Sequence, residues 1–137
     1  MIVIVLDSSA IIRLYVPDGP LPEGLSDCIV SAQRGDADVL VPELALAEVA
    51  QVIWKKEQMG YINSAEANEI ISAMLELPIE VVGHFDLILE SLTIARQHKL
   101  TIYDSIFLAL ARKKKATLIT ANLQLKKVFQ GIISMPQ

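Results

Sequence analysis

The chain has 137 residues, 53% of them hydrophobic, with a mean hydropathy of +0.45 and a net charge of −4. That length suits one domain, residues 1–137, able to bury about two-thirds of its unfolded surface, while no apolar run approaches the ~20 residues of a membrane span. The charge is unevenly spread: residues 1–95 hold four of the 12 basic and 15 of the 16 acidic residues, a balance of −11, whereas residues 96–137 stand at +7.

The opening MIVIVLDSSA predicts a strand over Ile2–Leu6. It lacks the basic start of a secretory leader, and Asp7 interrupts it after five apolar residues, so a cytoplasmic location is expected. A helix is predicted over Ser8–Tyr15, broken by VPDGPLP, and a second over Glu23–Gln33. There Cys28, the one cysteine, sits at helical spacing among apolar neighbours and reads as inert core. A strand over Val39–Val41 leads into a helix over Leu44–Gln58 closed by Gly60, followed by a helix over Ser64–Leu77. Next come a strand over Ile79–Val82 and helices over Phe85–His98 and Ser105–Lys115. His84 and His98 fall at helix ends in polar company and read as surface or capping residues. The chain closes with a strand over Thr117–Thr120, a helix over Leu123–Gln130 ended by Gly131, and a weak fifth strand over Ile132–Ser134. Strands that are apolar almost throughout, alternating with helices, predict a three-layer α/β/α domain around a parallel sheet of four to five strands.

In such sheets ligands bind beyond the carboxyl ends of the strands. Asp7 lies at one such end, where Asp-Ser-Ser before a helix is also a good N-cap. Glu48 stands on a mostly apolar helix, between Leu44 and Val52, where a carboxylate is costly unless a cation or donors receive it. Glu43, in that helix's first turn, is explained by the helix dipole alone. Asp104, three residues after Thr101, also suits a capping-box-like pair. Jointly, the three acids would gather at one rim of the sheet, and like charges cluster where a cation compensates them. Oxygen ligands without a Cys or His cluster suit Mg²⁺ or Mn²⁺ rather than zinc.

The segments VLDSSA, VPELALAEVA, TIYDSIFLALA and LITAN, in this order, resemble the PIN-domain family, most closely its small VapC-like toxin ribonucleases. The resemblance spans nearly the whole chain and implies an acidic pocket that holds Mg²⁺ or Mn²⁺ for RNA hydrolysis. It assigns Asp7, Glu48 and Asp104 as catalytic and metal-binding, with Glu48 a ligand or the orienter of the metal-bound water. Ser9 and Thr120 match the family's accompanying hydroxyl positions. The family's fourth acid is Asn122 here, so the pocket is expected to hold one ion adequately and a second poorly. The resemblance further implies a homodimer held inactive by a small antitoxin. Arg112, Lys113, Lys114 and Lys115, with Lys126 and Lys127, are candidate RNA phosphate contacts. Two rival readings are a PIN-like RNA-binding or regulatory module weakened by Asn122, and a phospho-accepting signalling domain. The second would need an acidic pair after the first strand, where this chain has Asp7-Ser8.

Overall fold

The computed structural model describes residues 1–133. Strands β1 (Ile2–Leu6), β2 (Ala37–Pro42), β3 (Glu80–Val82) and β4 (Thr117–Ile119) form one parallel sheet in the order β3-β2-β1-β4. The register pairs Ile4 with both Val39 and Thr117, and Leu40 with Glu80. Flanking it are helices α1 (Ser8–Arg13), α2 (Leu25–Gln33), α3 (Glu43–Gln58), α4 (Ser64–Leu75), α5 (Ile88–His98), α6 (Ile102–Lys114) and α7 (Leu123–Ile133). The expected α/β/α architecture with its parallel sheet is therefore present. The core gathers Val5, Leu6, Ile11, Val41, Ile53 and Phe107, all essentially inaccessible to water. Among the described residues no helix is long and apolar enough to cross a membrane.

Several boundaries move for local reasons. Gly24 adopts φ +83°, a left-handed conformation that starts α2 at Leu25 rather than Glu23. The segment Phe85–Leu87 is a 3₁₀ turn leading into α5. Glycine 131 does not end the last helix: α7 continues through it to Ile133, so Ile132 belongs to a helix, not to the expected fifth strand. Its Ser134 lies outside the described residues. Isoleucine at 132 suits either element, and Leu125 and Phe129 already set a helical buried face for α7.

Helix α6 does most to locate the functional rim. Its residues Ser105 to Ala111 are all buried, because it packs over β1, β2 and β4 on one side and α5 on the other. After Lys115, in the left-handed region at φ 52°, the chain turns directly into β4. The end of α6 thus lies at the start of β4, and its first turn, carrying Asp104, lies at the carboxyl rim of the sheet.

Candidate active site

Asp7 is the first residue past β1 and the N-cap of α1, and it is only 4% exposed. Its Oδ1 accepts from the Ala10 amide at 2.9 Å and from the Ser9 hydroxyl at 2.8 Å. Its Oδ2 accepts from the Thr120 hydroxyl at 2.5 Å. Both hydroxyls have one proton and spend it on Asp7, so the 3.2 Å approach of Ser9 Oγ to Thr120 Oγ1 carries none while Asp7 is ionised. Those oxygens in turn accept from backbone: Ser9 Oγ from the Ala121 amide and Thr120 Oγ1 from the Asn122 amide, both at 2.9 Å. The network ties the end of β1 to the segment after β4. It fills three of a carboxylate's roughly four acceptor sites, leaving one on Oδ2.

Glu48 reaches the same place from α3. Because β2 neighbours β1, the helices that follow these strands, α3 and α1, pack together, and Ser8 Oγ donates to Glu48 Oε1 at 2.6 Å. Asp104 arrives from α6, whose N-cap Thr101 accepts from the Asp104 amide at 3.1 Å. These acids line one cleft of about 240 Å³ with Ser8, Ser9 and Asn122, its apolar walls being Ile12, Val52 and Phe107.

All three carboxyls titrate above their ordinary values. Burial raises Asp7, opposed by its hydrogen bonds from Thr120, Ala10 and Ser9, and the charge of Asp104 adds to the rise. Burial also raises Glu48, opposed by Ser8, with Asp104 and Asp7 adding. For Asp104 burial again outweighs the Thr101 hydrogen bond. None of the three has a Lys or Arg partner among the described residues, whose ion pairs are Lys56–Asp18 and Arg112–Glu90. The donor set is oxygen-only, half-buried and uncompensated, which fits a hard divalent ion. Among the described residues no three acidic, His or Cys side chains converge closely enough to enclose an ion. An ion that keeps several of its waters, as magnesium does, needs no such cage.

The remaining sequence-predicted residues divide. Asn122 lines the cleft, but its Oδ1 accepts from the Leu125 amide at 3.2 Å and so caps α7. Arg112, Lys113, Lys114 and Lys115 are exposed at the opposite end of α6 from Asp104, with Arg112 Nε 4.0 Å from Glu90. Lys126 and Lys127 are exposed on α7, and Lys126 lines a separate pocket beside Glu23 and Asp27. Cys28 is buried, its thiol donating to the Leu25 carbonyl at 3.1 Å and pushed up to about 11 by burial and by Asp27, as an inert core residue would be. The role of Ser8 in fixing Glu48 was not visible in the sequence, since the two lie 40 residues apart; only its place at the first position of α1, beside Asp7, hinted at it.

Fold and site define an α/β/α protein with an acidic cleft at the carboxyl rim of a parallel sheet. The PIN domain family model matches residues 4–129, and the chain belongs to that family. Over 133 residues, 96% of this chain and 98% of the relative, it is 29% identical to Ribonuclease VapC3 of Pyrobaculum aerophilum. The crystal structure of PAE2754 from Pyrobaculum aerophilum matches with a TM-score of 0.71 at 22% identity, covering 93% of this chain and 86% of that one. That of VapBC2 from Rickettsia felis, bound to a DNA fragment from their promoter, matches at 0.66 and 16% identity, covering 93% of both.

Proposed function

We propose that the protein is a metal-dependent endoribonuclease that hydrolyses RNA phosphodiester bonds with Mg²⁺ or Mn²⁺, as the toxin of a cytoplasmic toxin-antitoxin pair. The observation that carries this reading is the meeting of Asp7, Glu48 and Asp104 in one cleft without a basic partner. The relatives' names, a VapC ribonuclease and a VapBC complex, support it. A bound divalent ion would polarise a phosphoryl oxygen and neutralise charge developing in the transition state. Asp7, through its remaining Oδ2 site, and Asp104 are the residues to hold it. Glu48, with Oε1 held by Ser8, keeps Oε2 to hold or orient the attacking water, and its raised pKa makes it a stronger proton acceptor than an ordinary glutamate. Ser9 and Thr120 fix the carboxylate of Asp7, while Ile12, Val52 and Phe107 form the apolar walls of the cleft.

The basic residues Arg112 to Lys115, with Lys126 and Lys127, attract RNA over distance, an effect that salt screens. Phe85 and Leu89, 91% and 78% exposed, offer apolar surface for a second copy or an antitoxin. Purified protein incubated with structured and unstructured RNAs tests the reading: cleavage should require Mg²⁺ or Mn²⁺, and undiminished cleavage in EDTA would defeat it. The lack, among the described residues, of a closed cage of three acids favours, as a second reading, a module that binds RNA without cutting it. RNA binding with no cleavage at any metal concentration would select that one.

A further inference from the structure

The acidic cleft continues beyond Glu48. Val52, one turn further along α3, lines the cleft and also an adjoining pocket of about 630 Å³. That second pocket is bounded by Val16 and Asp18 of the loop after α1, by Lys55 and Lys56 of α3, and by Tyr61. From Glu48 to the two lysines is seven to eight residues, about 10–12 Å at helical rise.

The charge here runs against its surroundings. Residues 1–95 carry −11 and only four basic side chains, Arg13, Arg34, Lys55 and Lys56. Two of the four, Lys55 and Lys56, line this pocket. Lys56 pairs with Asp18 at 2.9 Å. Lys55 is exposed and has no acidic partner among the described residues. Asp18 offsets one of the two positive charges, so the mouth of the pocket stays cationic.

Tyr61 adds an aromatic surface held in place by the backbone. Gly60, at φ +81°, ends α3, with its amide bonded to the Glu57 carbonyl and that of Tyr61 to the Lys56 carbonyl, both at 3.0 Å. These are the two bonds of a Schellman motif. The Lys56 ammonium lies 5.4 Å from the Tyr61 ring centre, yet Tyr61 remains 68% exposed.

We propose that this pocket receives the single-stranded RNA flanking the cleaved bond, Lys55 and Lys56 contacting a phosphate and Tyr61 stacking on a base. The inference rests on the ribonuclease reading and adds the direction in which the substrate leaves the cleft, along the seam between α1 and α3. A polyanion whose reacting phosphate sits among three carboxylates needs compensating charge close by, and the seam offers it on a surface continuous with the cleft. Stacking on a tyrosine is indifferent to base identity.

The test maps the cut in an unstructured RNA, then compares that RNA with versions shortened to a single nucleotide on one side of the cut or on the other. Wild-type protein should show a lower KM for RNA extended on one side only. Tyr61→Ala should remove that advantage, raising KM about five- to a hundredfold with a smaller change in kcat, and Tyr61→Phe should retain it. Lys55→Ala should lower the slope of log affinity against log salt by about 0.7. Both side chains are exposed, so the variants should fold, which thermal melts will verify. Wild-type protein that cuts no RNA removes the ribonuclease reading and this one together. Wild-type protein that cuts, with KM untouched by Tyr61→Ala and Lys55→Ala, overturns the seam alone. An equal loss on Arg34→Ala, which removes a basic residue outside this pocket, would also overturn it, as would a pocket that binds an acidic peptide while KM for RNA stays constant.

Discussion

Asp7 answers to two demands, and substitution can separate them. In Asp7→Asn the amide oxygen still accepts from Ala10 and Ser9, while the new NH₂ donates to Thr120 Oγ1, whose proton can turn to Ser9 Oγ, 3.2 Å away. Every group of the network keeps a partner, so denaturant unfolding should change by less than about 1 kcal/mol, while RNA cleavage is lost. Undiminished cleavage would leave Asp7 as a cap alone. Thr120→Val is the reverse case: it strips a donor from Asp7 and an acceptor from the Asn122 amide, and should cost about 1–3 kcal/mol near neutral pH. Asn122→Asp keeps the α7 cap and adds a fourth charge to the cleft, so calorimetry should find tighter Mn²⁺ binding and melts a less stable apo protein. Equal Mn²⁺ affinity would confine Asn122 to capping. In the sequence Glu48 could be singled out because a carboxylate on an apolar helix face is expensive, whereas Asp7 and Asp104 also suited helix caps and joined it through their place in the pattern that resembles the PIN-domain family. Ser8 could not, because a hydroxyl at the start of a helix has a sufficient local explanation and its partner is distant in the chain.

At the level of elements, two helices end without the glycine that such endings favour. Lys99 after α5 and Lys115 after α6 both take positive φ, 54° and 52°, a conformation costly for side chains bearing Cβ. Replacing exposed Lys99 by glycine relieves that strain but loosens the unfolded chain, for an expected net gain of about 0.5–1 kcal/mol in urea unfolding. A loss of stability would mean that the Lys99 side chain contributes contacts of its own. These endings also explain what could be read of the fold. Strand and helix identities followed from apolar period, and Gly60 marked the end of α3 because it occupies the left-handed position that requires glycine. Gly131 has no such requirement and α7 runs through it, so reading it as a stop was an error, as was the strand drawn after it at Ile132. The burial of α6 on both sides was only partly legible: its apolar turns were plain, but only the sheet order sets it over three strands.

Over the whole molecule, the three acids should make stability depend on pH in the direction opposite to that of salt-bridged carboxylates. Each has a folded pKa above its ordinary value of 3.8 or 4.5, with burial the leading cause. Between the unfolded and the folded value the native state therefore binds more protons than the unfolded chain. Stability falls with rising pH wherever that holds. The metal-free protein should accordingly lose stability as pH climbs from about 4 through the raised carboxyl values, and then level off once all three are ionised. Asp7→Asn, which removes one of the three, should make the decline shallower. A divalent ion that binds the ionised cleft reverses the trend, because it competes with protons and adds stability at neutral pH, about 2.7 kcal/mol at a concentration of 100 Kd. Urea titrations from pH 4 to 8, with EDTA and with Mn²⁺, measure both effects. Stability in EDTA that rises steadily across this range would mean that the acids find compensating partners in the folded chain. Curves that coincide with and without Mn²⁺ would mean that the cleft holds no ion, and the metal-dependent reading would fall with it.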